Sequence, residues 1–244
     1  MELKGKRALV TGSAKRVGRV IAMKLAEGGA DIAVHYNTSS KEAEKTAEEI
    51  RAFGVQAVTV QGDVSQAQQV DAIVGRVNLT LGSIDILVNS ASIYYKKSFE
   101  DLTEEDWDKN LAVNAKAPFL LARRIGPEMK KQGQGKIVNI VDWAAERPYA
   151  DYMPYCASKA ALANLTKSLA LALAPEVQVV GVAPGPVLLP EDFSSELVEN
   201  IKRAVPLKRV GSPEDIAAAV RFLIEGSDFI TGSILTVDGG RLIA

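Results

Sequence analysis

Tyr155 and Lys159 stand four residues apart, at the start of an apolar, Ala/Leu-rich run that continues to Ala174. On a helix that spacing stacks two side chains on one face. An ammonium beside a phenol favours the phenolate and lowers the phenol pKa toward neutrality. A tyrosine so placed donates a proton to a substrate and takes one back. Taken alone, the pair fits a surface phenol and a solvated helix lysine as well, so the elements around it have to decide.

Those elements alternate. Short apolar strands are expected over residues 6–11, 31–36, 55–61, 84–89, 136–141, 177–182 and 234–237. Helices are expected over 17–28, 40–53, 68–81, 158–174 and 213–225, with one or two more inside 104–132, where Pro118 bends or interrupts them. Ser39 or Ser40 is expected to cap the second helix and Ser212 the last. Strand–helix alternation along the whole chain, without linker, repeat or composition break, predicts one domain over residues 1–244. Its fold class is α/β, a doubly wound and mostly parallel sheet flanked by helices. Ligands of such sheets bind beyond the carboxyl ends of the strands. Gly12, Asp63, Asn89, Asp142, Pro184 and Gly185 all fall at or just after predicted strand ends.

The first strand–helix turn runs Thr11-Gly12-Ser13-Ala14-Lys15-Arg16-Val17-Gly18. Glycine lets the backbone approach a pyrophosphate, and the helix N-terminus offers free N–H groups to it. The second strand ends His35-Tyr36-Asn37-Thr38-Ser39, with no carboxylate for ribose hydroxyls. Lys15 and Arg16 bring positive charge, and Thr38, Ser39 and Ser40 bring hydroxyls. That set favours a 2'-phosphate, and so NADP(H). Asp63 is placed either to accept from the adenine amino group or to close a turn.

Composition removes other classes. The net charge is −1, which gives no nucleic-acid partner. One cysteine and one histidine leave no intrachain disulfide and no metal site. No signal peptide and no run of 18 apolar residues occurs, which predicts a cytoplasmic protein without a membrane span.

Taken in order, the glycine turn, Asp63-Val64, Asn89-Ser90-Ala91, Asn114, Tyr155-x-x-x-Lys159, Pro184-Gly185 and Val237-Asp238-Gly239-Gly240 resemble the short-chain dehydrogenase/reductase family over essentially the full length. The resemblance implies a Rossmann-type domain, usually a dimer or tetramer, here expected as a homotetramer. It implies catalytic roles for Asn114, Tyr155 and Lys159. It implies cofactor contacts from Gly12, Ser13, Lys15, Arg16, Val17, Gly18, His35, Tyr36, Asn37, Thr38, Ser39, Asp63, Val64, Asn89, Ser90, Ala91, Tyr155, Lys159, Pro184, Gly185 and Val187, with Lys159 on the nicotinamide ribose. A segment at about 187–210 is expected to cover the substrate.

Two positions depart from the common family pattern. Arg16 occupies the middle glycine of the turn, and Asp142 stands 13 residues before Tyr155, where the family usually has its catalytic serine. Both look like the pteridine reductase subfamily, as does the aromatic Tyr94 after Ser90-Ala91-Ser92-Ile93. That subfamily implies NADPH-dependent reduction of a pterin or dihydrofolate, with Asp142 joining the catalytic set and Tyr94 stacking on a flat heterocycle. Arg16, Ser92, Tyr94, Asp142, Trp143, Tyr155 and Leu188 are then the substrate-binding residues. The alternative is an NADPH-dependent carbonyl or imine reductase of the same family, acting on a 3-oxoacyl compound or a small ketone. The Lys96-Lys97 pair stands where it could meet a carboxylate tail.

Overall fold

A computed structural model describes residues 1–189 and 193–244. Seven strands form a single sheet: β1 (Arg7–Val10), β2 (Asp31–Tyr36), β3 (Ala57–Gln61), β4 (Ile86–Asn89), β5 (Gly135–Ile140), β6 (Val177–Pro184) and β7 (Ile234–Val237). Their order is β3-β2-β1-β4-β5-β6-β7, and every pairing is parallel. The sheet is thus wholly rather than mostly parallel.

The five central strands are buried on both faces, as a sheet covered on two sides requires, while the edge strands β3 and β7 are partly exposed. Side chains alternate between faces. Ala8, Val10, Ile32, Val34, Val88 and Val138 pack with α1 (Arg16–Glu27), α2 (Ser40–Arg51) and α8 (Pro213–Glu225). Leu9, Ala33, Val60, Leu87 and Ile137 pack with α3 (Ala67–Thr80), α5 (Ala117–Lys131) and α6 (Met153–Leu173). The result is three layers with a core on each side of the sheet. Strand order reverses between β1 and β4, which opens a crevice beyond their carboxyl ends.

Several boundaries differ from expectation for physical reasons. The helix carrying Tyr155 begins at Met153, not 158, because Pro154 sits in its first turn, where a missing N–H costs nothing. Tyr155 is therefore in that first turn, close to the strand ends. Pro118 does not break the long helical stretch. It lies in the first turn of α5, and the irregularity is a π-helical stretch, Ala112–Lys116, between α4 (Glu104–Leu111) and α5. Ser39 occupies the cap position of α2 but makes no side-chain cap bond. Ser212 and Asp215 form a reciprocal capping box on α8, as expected. Between β6 and α8, α7 (Ser195–Ala204) is the one helix among the described residues. Residues 190–192 of the expected covering segment lie outside the described residues. Among the described residues, no helix is long and apolar enough to cross a membrane, and no cluster of potential metal ligands occurs.

Candidate active site

A cleft of about 700 Å³ lies along the carboxyl ends of the strands and collects residues from both halves of the sheet. Beyond β1 to β3 it is lined by Gly12, Lys15, Arg16, Val17, Gly18, His35, Tyr36, Asn37, Thr38, Ser39, Asp63 and Val64. Beyond β4 to β6 it is lined by Ser90, Ala91, Ser92, Tyr94, Asp142, Trp143, Tyr155, Lys159, Pro184, Gly185, Val187 and Leu188.

The glycine turn is shaped by exclusion. A Cβ on Gly12, whose φ is +65°, would meet Ala91 Cα at 2.8 Å, and a Cβ on Gly18 would meet the Gly12 carbonyl oxygen at 2.5 Å. His35 ties the turn to the neighbouring strands. The Gly12 N–H donates to His35 Nδ1 at 3.1 Å. The remaining proton must then sit on Nε2, which donates to the Gly62 carbonyl at 2.9 Å. Burial lowers the His35 pKa from 6.5 to about 4, so the ring is neutral.

Ser13 departs from its expected role as a cofactor contact. It is wholly buried and does not line the cleft. Its hydroxyl donates to Val10 O at 2.7 Å and accepts from His35 N at 3.1 Å, so the side chain is used inside the turn. Asn89 also lies away from the cleft, buried in the sheet, donating to Asn139 Oδ1 at 2.8 Å. One Asp63 oxygen accepts from Ser65 N at 2.9 Å, the turn contact, while the residue also faces the cleft.

Arg16 has φ +57°, the left-handed region that suits glycine. Its guanidinium reaches across to the Leu188 carbonyl at 3.4 Å. No carboxylate of β2's end faces the cleft, and the Lys15/Arg16 cations and Thr38/Ser39 hydroxyls do. Together with a cradle that only glycine fits, this donor set suits a phosphorylated dinucleotide.

At the other end, Asp142 follows β5 and its Oδ1 accepts from Ala144 N at 2.8 Å, fixing the carboxylate. Tyr155 Oη donates to Oδ2 at 2.8 Å, and Tyr149 Oη donates to Oδ1 at 3.2 Å. Burial raises the Asp142 pKa above the usual carboxylate range, against the pull of those donors and of Lys159. Lys159 is buried, donates to Ile140 O at 2.8 Å, and lies 5.6 Å from the Tyr155 ring centroid. Burial brings its pKa down to about 8.

The expected lowering of the Tyr155 pKa is not what this arrangement gives. Burial first, and then the Asp142 carboxylate, push it well above 10. The lysine charge acts from the ring side, whereas the carboxylate sits on the hydroxyl itself, so the nearer anion wins.

Asn114 does not line the cleft. From the π-helical stretch its amide accepts from Ile93 N (2.9 Å) and Ser92 Oγ (3.0 Å), and donates to Ile93 O (3.1 Å) and Ser158 Oγ (3.0 Å). It fastens the segment after β4 to α6. Tyr94, on that segment, lies face to face with Tyr152 (centroids 4.4 Å, 11°) and edge-on to Tyr155 (4.8 Å). One face of Tyr94 is therefore already taken by another tyrosine.

Lys96 and Lys97 pair with Asp151 and Asp106 and are not held in reserve for a ligand's carboxylate. Sequence reasoning missed Tyr149, Tyr152, Ile201 and Arg241 as lining residues. Tyr149 and Tyr152 lie in the sequence between Asp142 and Tyr155, but spacing gave no sign of them. Ile201 and Arg241 are brought in only by the tertiary fold.

Comparison with known proteins sets this geometry in context. Residues 12–241 match a family model described as enoyl-(acyl carrier protein) reductase. The chain is 37% identical to a 3-oxoacyl-[acyl-carrier-protein] reductase of Staphylococcus aureus, over 96% of this chain and 97% of that one. It is 34% identical to a 5-keto-D-gluconate 5-reductase of Escherichia coli, over 99% and 97%. The crystal structure of a gluconate 5-dehydrogenase from Burkholderia cenocepacia with NADP and tartrate superposes with a TM-score of 0.92 at 31% identity, over 100% and 98%.

Proposed function

The chain belongs to the short-chain dehydrogenase/reductase family, as an NADP(H)-dependent enzyme of it, and on that footing we propose that it reduces the ketone carbonyl of a small substrate. The observation that carries the chemistry is the 2.8 Å hydrogen bond between Tyr155 and Asp142 inside the cleft. The relatives named for 3-oxoacyl and keto-gluconate reduction support a carbonyl substrate.

Reducing a carbonyl takes a hydride at carbon and a proton at oxygen. NADPH, when bound, supplies the hydride. Tyr155 Oη donates the proton. An ionised Asp142 competes for that proton, because it accepts from the same hydroxyl. A protonated Asp142 instead donates to the phenol oxygen and leaves the phenol hydrogen to the substrate. Burial favours that protonated form by raising the carboxyl pKa. Lys159, charged at neutral pH, favours the phenolate that proton transfer leaves behind. Tyr149 and Ala144 N hold Oδ1 and so aim Oδ2 at Tyr155. Asn114 holds the segment that presents Ser92 and Tyr94. Arg16, Trp143 and Leu188 complete the proposed substrate wall, with residues 187–210 as its cover.

A second reading, reduction of a ring C=N in a dihydropterin or dihydrofolate, is favoured by two observations. Asp142 is an acid suited to protonating nitrogen, and the Tyr94–Tyr152 stack is an aromatic platform for a flat ring. Exposed Phe119 on α5 and Leu171 on α6 support the homotetramer as the proposed assembly.

NADPH oxidation measured with 5-keto-D-gluconate, a 3-oxoacyl thioester and ethyl acetoacetate, beside dihydrobiopterin and dihydrofolate, separates the readings. Carbonyl turnover without pterin turnover is expected. Pterin turnover alone overturns the first reading in favour of the second.

A further inference from the structure

Two arginines lie over the Trp143 indole, Arg147 at 5.9 Å and Arg241 at 5.1 Å from its centroid. Their remaining hydrogen-bonding capacity differs. Arg147 is exposed and donates to the main-chain oxygens of Arg241, at 3.2 Å, and of Ala244. Its guanidinium is engaged in holding the 241–244 turn. That turn is also fixed from the other side, because the Asp238 carboxylate accepts from Gly240 N at 2.8 Å and Leu242 N at 2.6 Å.

Arg241 is half-buried and lines the cleft beside Trp143. Its described hydrogen bond is a single 3.4 Å contact to Ala244 O. Among the described residues, no aspartate or glutamate pairs with it. The acids of the described lining are Asp63, beyond β3, and Asp142, whose oxygens are engaged by Tyr149, Tyr155 and Ala144 N. A half-buried guanidinium, pre-oriented on an indole and with most of its five donors to spare, is built to receive an oxyanion. Its planar fork matches a carboxylate bidentately.

We propose that Arg241 anchors a carboxylate carried by the substrate, so that the enzyme acts on keto acids in preference to neutral ketones. This rests on the reductase reading above. The anchor and Tyr155 line the same cleft, so an acid held at this wall lies in the site that holds the proton donor.

The test uses Trp143 as a reporter. The chain has two tryptophans, and Trp107, 41% exposed on α4, is not a lining residue. In a Trp107→Phe background the emission comes from Trp143 alone. The NADP-loaded protein is titrated with 5-keto-D-gluconate, with its methyl ester and with inorganic phosphate, and the same titrations are followed by calorimetry.

Saturable binding of the acid is expected, about tenfold weaker in Arg241→Ala and partly restored in Arg241→Lys, with the ester insensitive to both changes. In turnover, Arg241→Ala raises KM for the acid about tenfold and leaves kcat within about twofold, the pattern of lost uniform binding. Equal affinity for the acid in wild type and Arg241→Ala overturns the proposal. So does phosphate binding as tightly as the keto acid. Arg241-dependent binding of the acid without NADPH oxidation on any carbonyl keeps the anchor and overturns the reductase reading instead.

Discussion

At the end of the cleft beyond β2 and β3, the polar side chains closest to the turn are used up inside the protein. The Ser13 hydroxyl bonds to Val10 O and His35 N, and the His35 ring bonds to Gly12 N and Gly62 O. What remains for a ligand is backbone shape, cradled by Gly12 and Gly18, with Lys15 and Arg16 around it. Beyond β4 and β5 the arrangement is the reverse. There the side chains of Tyr155, Asp142, Tyr149 and Lys159 face one another with protons to exchange. One end binds by geometry that tolerates no added atom. The other reacts by protonation states that shift with small changes in charge. Damage to the first is expected in affinity and stability, and damage to the second in turnover.

The sharpest test of that division is Tyr155→Phe, which should lower kcat about 10³-fold and leave NADPH affinity within about twofold. Asp142→Ala should lower kcat about 10²-fold, again with little change in NADPH affinity. A comparable loss of NADPH affinity in either variant would erase the division.

The wild-type reduction rate should also fall as pH rises through about 8. Lys159 then loses the proton whose charge favours the phenolate. A flat kcat profile from pH 6 to 9 would contradict this.

His35 tests the structural end. Its folded pKa lies below its unfolded value, so the unfolded chain binds the proton first and stability falls as pH drops from 6.5 toward 4. The full shift is worth about 3 kcal/mol. Urea midpoints across that range should show the slope, and His35→Gln should flatten it.

Gly18→Ala should destabilise by roughly 1–3 kcal/mol, since its Cβ has no room. It should weaken NADPH binding and leave kcat at saturating NADPH nearly intact. Arg16→Gly should weaken NADPH binding about fivefold to tenfold with little effect on NADH.

The same division explains what could be read in advance. The sheet was legible, because β2 and β7 are short β-branched runs bounded by breakers, and their limits match residue for residue. The Tyr155/Lys159 pair and the glycine turn were legible because each lies within one element. The start of α6 was not, since Pro154 was not read as a first-turn residue. Arg241 and Ile201 were hidden for a different reason. They reach the cleft from segments far apart in the chain, and no local period records that. The Tyr155 pKa was misjudged because spacing supplies Lys159 as a neighbour but shows neither the burial of the phenol nor Asp142 on its hydroxyl.

Arg16 has a consequence for how this chain can change. A non-glycine residue in the left-handed region costs about 1–2 kcal/mol, and Arg16 sits there at φ +57°. Glycine would relieve that cost at this position but would remove the cation. Arg16→Gly should therefore melt at a higher temperature than the wild type even as it loses its grip on NADPH. The position is a small, local record of function held against stability.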